Sequence, residues 1–574
     1  MERFLRNTGL CLALCCGVAS SQTTAASSQT TQEMASSDAP ATFKARVNLV
    51  LVRVVVRDKK GQAVGNLTQQ DFKLFDKGKP QTILKFSMEK SGGMPKPAVT
   101  AEVTQEEPGA APVAPSPERF ILYLFDDMQT AFQDLAAARN AADVHIASEL
   151  KPTDRAAIFT TSGQVTVDFT DDRLALHDGL ARIQPRSRAQ TMGGDCPSVT
   201  YYQADMIQNK NDPLAFQAAV EDAYVCAGLQ NPQQQAAAEG LARSAAMRAV
   251  SIGEADSRLS LMGVKDAVRR ISAMPGQRNI VLVSQGFYLT NYLRPDEMDV
   301  MDRAIKGGVT IGALDARGLY TIVPGGDAST AGSGSVTGSI YRLQYDRMSY
   351  QANADVMAEL ADATGGTFFQ NSNDLKDGFR RLAAAPEYYY VLAFSPQNLR
   401  LDGSYHVLKV TVAKTVQSVS VQARRGYFAP KHEIDPAEAA KEEISEALFS
   451  RDELLDIPIE IHTQFFKSSD YEAKLAIVAH VDMKGIRFQK ADGRNRNTLT
   501  IVSALFDRNG NYVNGVTKTL EMRLKDPTLE TLLKSGVNIK TSFDVAPGTY
   551  AVRLVVRDAE GQMMAARNGA VQIP

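Results

Sequence analysis

The sequence has no tryptophan and only six histidines and five cysteines in 574 residues. His145, His177, His406, His432, His462 and His480 show no metal-ligand spacing, which argues against a histidine-built metal centre. No Gly-x-Ser-x-Gly elbow and no Walker phosphate loop is present. The first strongly apolar strand ends in "FDDMQT", where a dinucleotide site needs a glycine turn. Two acids at that point would repel phosphates. Lysine and arginine number 63 against 65 aspartates and glutamates, with no basic block. That balance argues against nucleic acid as a partner. Beyond the N-terminal segment no apolar run approaches the ~20 residues of a transmembrane helix.

The N-terminal segment is itself informative. Arg3 and Arg6 precede the apolar run "LCLALCCGV" (10–18), and small residues follow at Ala19, Ser20 and Ser21. This pattern predicts a signal peptide over 1–21 and an exported protein, whether periplasmic, outer-envelope or secreted. Leu14 stands where a lipobox before Cys15 prefers a small residue, which disfavours a lipid anchor. Three cysteines lie in this segment. The remaining two, Cys196 and Cys226, are expected to form a disulfide, the alternative being two buried thiols. Closing that loop stabilises by roughly 3–4 kcal/mol in the chain-entropy model.

Composition shifts divide the rest. Residues 22–42, rich in Ser, Thr, Ala and Gln, read as a disordered leader. Residues 43–90 read as a β module, and 91–118 as a Pro/Ala-rich linker. From 119 to 385 apolar strands alternate with amphipathic helices, which predicts a mostly parallel sheet covered on both faces. The strand at 164–170 follows its neighbour so closely that a hairpin, hence an antiparallel edge, is expected. An insertion at 186–256 carries both mature cysteines. Helices are expected at 214–227, 233–251, 257–273 and 350–363, and a glycine-serine loop at 324–339. Residues 386–430 return to strands that complete one sandwich with 43–90, so the segments near Val54 and Val410 should share a core. A helical connector (431–456), with Glu442 and Glu443 in solvent, leads to a C-terminal β-sandwich (457–574). "VRVVVRDKKGQ" (52–62) and "VRLVVRDAEGQ" (552–562) agree at eight of eleven positions.

The order of elements in 119–385 resembles a von Willebrand factor type A (VWA) domain. The phrases "VVVRDKKGQAVGNLTQQDFKLFDKGKPQTI", "CPSVTYYQADMI", "TIGALDARGL", "YYYVLAFSP" and "RRGYFAP" resemble its VWFA-related acidobacterial branch, over about 43–430. The resemblance implies α/β plus all-β architecture: a VWA-like doubly wound, mostly parallel sheet with helices on both faces, flanked by Ig-like β-sandwich modules. It also implies an adhesion-type ion site for Mg²⁺ or Ca²⁺, since a hard cation wants carboxylate and hydroxyl oxygens. Family members use Asp-x-Ser-x-Ser after the first strand, a loop threonine and a later aspartate. Here Asp126 matches the first aspartate and Thr130 stands for the last serine. Met128 replaces the middle serine, a poor ligand for such an ion. The later aspartate falls on Gln285, and Thr191 in "TMGG" stands for the loop threonine. The site is therefore degenerate, with Asp127 and Asp315 as substitutes. A second reading makes Asp126 and Asp127 metal-free acids at a helix N-terminus.

The resemblance implies a non-catalytic module that binds a protein or extracellular surface ligand. Tyr201 and Tyr202 on the insertion are candidate partner contacts, with packing as their alternative role. A hydrolase using the acids at the sheet edge and a passive envelope or matrix spacer are the competing classes.

Overall fold

The computed structural model describes residues 33–37, 50–58, 63–90, 117–186, 196–229, 231–320, 336–384, 388–396, 402–413, 419–429, 436–449, 453–561 and 563–574. The expected signal peptide, most of the linker and Thr191 lie outside these residues.

Strand Val50–Arg57 buries every second residue, so Val52, Val54 and Val56 face a core while Arg53, Val55 and Arg57 face away. It pairs antiparallel with Tyr388–Phe394, setting Val54 opposite Tyr390, and with Ser420–Ala423. A second sheet, built on Phe72–Asp76 and Tyr405–Val412, sets Val410 opposite Leu74. Val54 and Val410 line the same apolar cluster, together with Phe72, Leu74, Tyr390 and Phe394. The residues that close this body lie more than 300 positions apart in sequence, on either side of the α/β segment.

The α/β segment has a six-stranded sheet. Its order is Phe368–Phe369, Val309–Asp315, Gln277–Ser284, Arg119–Phe125, Asp154–Thr160, Thr166–Thr170. All pairings are parallel except the last, which is antiparallel. All seven residues of Arg119–Phe125 are buried, as a strand covered on both faces requires. One face packs on helices Gln235–Ser272, Arg294–Lys306 and Val336–Thr364, the other on Phe132–Glu149, Arg173–Ala181 and Leu375–Ala383.

Two of these helices are much longer than expected. The helices read at 233–251 and 257–273 are one element, Gln235–Ser272, of 38 residues. Gly253 is the weakest helix former near the supposed break. It is kept for packing, because a methyl group there would lie 2.2 Å from the ring of Tyr201. Similarly, the helix expected at 350–363 begins at Val336, inside the stretch read as a loop. At roughly 1.5 Å per residue the first helix spans about 57 Å, against about 26 Å for an eight-residue strand. Both helices end beside the strand starts, so their N-terminal halves project past the carboxyl edge of the sheet. There they join helices Tyr201–Gln208 and Pro213–Cys226 around Ala204, Ala215, Ala219, Ala242, Ala246 and Tyr345. A Cys196–Cys226 disulfide, Cα–Cα 5.6 Å, ties this annex. The insertion thus crowns the sheet edge.

The C-terminal strands form a seven-stranded sheet facing a three-stranded one over a shared core. Its edge corrects the reading of the leader. Met34–Ser37 is a strand, paired antiparallel with Tyr512–Leu524 so that Met34 faces Met522. Backbone pairing along an open edge needs no apolar composition, so the Ser/Ala-rich sequence gave no sign of it. The connector helix Pro436–Phe449 lies on this module, and Glu443 accepts a hydrogen bond from Arg557 Nε at 3.1 Å rather than facing only solvent.

Candidate functional site

In a parallel sheet, ligand sites form at the carboxyl edge, where neighbouring crossovers diverge. Strand Arg119–Phe125 lies between the next strand in sequence, Asp154–Thr160, and a later one, Gln277–Ser284, so its end is that point. Asp126 follows it directly. Its backbone N–H still donates to Val283 O at 2.8 Å, which extends the ladder by one residue and fixes the side chain inside the fold.

Asp126 is fully buried. Oδ1 accepts from Thr161 Oγ1 at 2.8 Å and Ser260 Oγ at 3.0 Å, and Oδ2 accepts from Ser284 Oγ at 2.7 Å. The three hydroxyls come from the hairpin turn, the long helix and the neighbouring strand. Burial nevertheless raises its carboxyl from 3.8 to about 6, against the lowering effect of those bonds. Asp127 holds the hairpin turn: Oδ1 accepts from Ser162 N at 2.9 Å and Thr161 Oγ1 at 3.1 Å, and Oδ2 accepts from Ser162 Oγ.

These bonds correct the helix-capping reading. The N-cap of Phe132–Glu149 is Ala131, with no side-chain cap, and the acid in the first turn is Asp134. Gln285 Nε2 donates to Asp134. Asp126 and Asp127 brace the strand ends instead.

The arrangement does not fit a divalent cation either. Both oxygens of Asp126 already accept hydroxyl hydrogens. Asp315, at the end of its strand, is ion-paired with Arg317, Nε to Oδ1 at 2.9 Å and Nη2 to Oδ2 at 2.7 Å. That guanidinium is 6% exposed and lies 4.3 Å from the Tyr320 ring centroid and 5.3 Å from that of Tyr350. A positive charge is thus built in beside the carboxylate meant to substitute for a lost ligand. Met128 is buried. Thr130 keeps the loop closed through its N–H to Asp126 O at 3.1 Å, and its buried hydroxyl has no partner among the described residues. Among those residues no three of His, Cys, Asp and Glu are grouped as a metal site. Thr191 lies outside them.

Tyr201 and Tyr202 both meet Tyr288 edge-on, at centroid separations of 5.3 and 5.2 Å, and Tyr288 Oη donates to Asp205 at 2.8 Å. They are half-buried and join the annex to the loop after Gln277–Ser284.

Sequence reasoning missed Thr161, Ser260, Ser284 as a donor, and Arg317. Arg317 could have been found, two residues after Asp315 in "ALDARG". Ser260 had no local signal, since it reaches Asp126 across 134 residues.

No family model and no curated protein matches this sequence. Solved structures with some similarity include an aerotolerance-related membrane protein from Bacteroides fragilis, 12% identical, over 46% of this chain and 98% of that one, TM-score 0.24. BatB, a conserved hypothetical protein from Bacteroides thetaiotaomicron, is 13% identical over 46% of this chain and 95% of that one, TM-score 0.22. Three N-terminal domains of the type V pili tip protein Mfa5 from Porphyromonas gingivalis are 9% identical over 86% of this chain and 78% of that one, TM-score 0.20. Likeness at this level carries no argument about function.

Proposed function

We propose that this is an exported, non-catalytic binding protein whose α/β segment is of VWA type, and that it holds a protein or surface ligand without a divalent ion. One observation carries the reading. At the carboxyl edge of the sheet Asp126, Asp127 and Asp315 are each matched to hydroxyl, amide or guanidinium donors. A general base must be in reach of substrate, and these three carboxylates are buried at 0–2% exposure. The parallel order with one antiparallel hairpin strand, and an aspartate after the first strand, support the VWA reading.

The annex supplies a contact surface. Met247, Ile340 and Leu214 are 56%, 59% and 42% exposed on its helices. A surface that includes exposed methionine can adapt its packing to a partner. The test is binding of labelled full chain to envelope fragments of the producing cell. Saturable binding that weakens by about tenfold in Met247→Glu/Ile340→Glu and survives Asp126→Asn supports the reading. Unsaturable binding, or binding indifferent to the double variant, contradicts it.

A further inference from the structure

The larger C-terminal sheet borrows one strand from far away in the chain. Strand Tyr512–Leu524 pairs with Arg494–Phe506 along nearly its whole length on one side. On the other side only residues 519–522 are covered, by Met34–Ser37. The rest of that side, 512–518, pairs with no further strand among the described residues, and Tyr512 and Val513 are 50% and 44% exposed. An edge of this kind offers unpaired N–H and C=O groups to an extended segment that fits it.

A carboxylate selects what fits. Glu33 precedes the borrowed strand, and its main-chain carbonyl accepts from Arg523 N at 2.8 Å, which extends the ladder by one bond. Three groups of the C-terminal module receive its side chain. Arg494 Nη1 donates to Oε1 at 3.2 Å, Thr528 Oγ1 donates to Oε2 at 2.6 Å, and Lys525 Nζ lies 3.6 Å from Oε1. The Thr528 bond, helped by the charges of Lys525 and Arg494, holds this carboxyl below its ordinary value. The edge is therefore built to take a short extended segment that begins with an acid. The core beneath it, around Leu499, Ile501, Met522 and Leu524, is assembled from the module's own residues. The segment can leave and return without dismantling that core.

We propose that this edge is a self-association site, at which residues 33–37 of one copy of the chain pair with Tyr512–Leu524 of a second copy. The bonds are those already made within one copy, so exchange needs no new complementarity and costs only the entropy of association. Charge and register both name the occupant: Glu33 meets Arg494 and Lys525, Met34 lies opposite Met522, and Ser37 lies opposite Thr519. A segment tied to its own module by a short connection faces it at an effective concentration on the order of millimolar. Pairing between copies therefore prevails where copies are crowded, or where pairing within a copy is blocked. The site belongs to a different sheet from Asp126 and is independent of the adhesion reading.

The experiment mixes two variants of the full chain. One lacks residues 33–37 and keeps the edge. The other keeps the segment and carries Arg494→Glu/Lys525→Glu, which repels Glu33 from its own module. Sedimentation of the mixture should show a one-to-one complex that neither variant forms alone. Amide exchange at 519–522 of the shortened chain should slow when its partner is added. Adding Glu33→Lys to the second variant reverses the charge match and should weaken the complex about tenfold. A mixture with no complex, or a complex indifferent to Glu33→Lys, would overturn the proposal. If the charge variant does not fold, a synthetic peptide of residues 31–38 takes its place. Slowed exchange at 519–522 of the shortened chain then supports the proposal, and unchanged exchange overturns it.

Discussion

Asp126 is a carboxylate kept inside the fold by three hydroxyl donors, and its chemistry has consequences that can be measured. Its folded-state value, about 6, lies above the ordinary 3.8 because of burial. The folded protein therefore binds a proton more readily than the unfolded chain. The stability this confers is fully present below pH 3.8 and is lost as pH rises through about 6. It amounts to about 3 kcal/mol. His145 acts in the opposite sense: burial lowers it from 6.5 to about 4, so its contribution is present above pH 6.5 and is lost as pH falls through about 4. The two are separated by Asp126→Asn. Urea midpoints at pH 4, 5, 6 and 7 (about one-unit steps across the linkage window) should show a flatter profile in the variant, with no loss of stability at pH 7. Hydroxyls can turn to accept from the new amide. Asp126→Ala, which strands three buried hydroxyls, should cost about 2–4 kcal/mol. Arg317→Met should cost about 3 kcal/mol, because it leaves Asp315 buried and unpaired. An unchanged midpoint in Arg317→Met would refute the idea that this guanidinium is the resident cation of the sheet edge.

Among the elements, the long helix Gln235–Ser272 offers the sharpest test, because intrinsic propensity and packing oppose each other at Gly253. Alanine favours an exposed helix by about 1 kcal/mol over glycine. Its methyl group would nevertheless overlap the Tyr201 ring at 2.2 Å. Gly253→Ala should thus destabilise, and Tyr201→Ala in the same chain should relieve the loss, giving a coupling of about 1 kcal/mol or more in a double-mutant cycle. Additive effects would show that ring and glycine do not meet. The same helix shows where the sequence was legible. Arg119–Phe125, Gln277–Ser284 and Val309–Asp315 were readable as strands because continuous apolar runs of that length have few other fates. The antiparallel strand Thr166–Thr170 was readable from its short connection. The continuity of Gln235–Ser272 was not, because it depends on an annex that gives those residues something to pack against. The hydroxyl ring around Asp126 was hidden for a related reason: its members are isolated serines and threonines until the fold assembles them.

At the scale of the whole molecule, the bodies are fastened by backbone and side-chain bonds between distant segments. Arg155 Nε donates to Arg508 O at 3.0 Å, and Gly276 N to Phe449 O at 3.3 Å, so the C-terminal module and its connector sit against the strand starts of the α/β sheet. Met34–Ser37 closes the far edge of that module, with Glu33 ion-paired to Arg494 at 3.2 Å. Deleting residues 33–37 should raise amide exchange in Tyr512–Leu524 specifically, and exchange unchanged there would disprove the pairing. The annex stands over the carboxyl edge of the sheet, and the account turns on whether that edge needs an ion. The deciding measurement is thermal melting of the full chain during titration with Mg²⁺, Mn²⁺ and Ca²⁺, beside Asp126→Asn. An ion that binds only the folded state must raise the melting temperature. The account predicts no saturable shift with any of the three in either chain. A saturable rise in the natural chain that disappears in Asp126→Asn would contradict it, and would return Asp126 to the role of a metal ligand.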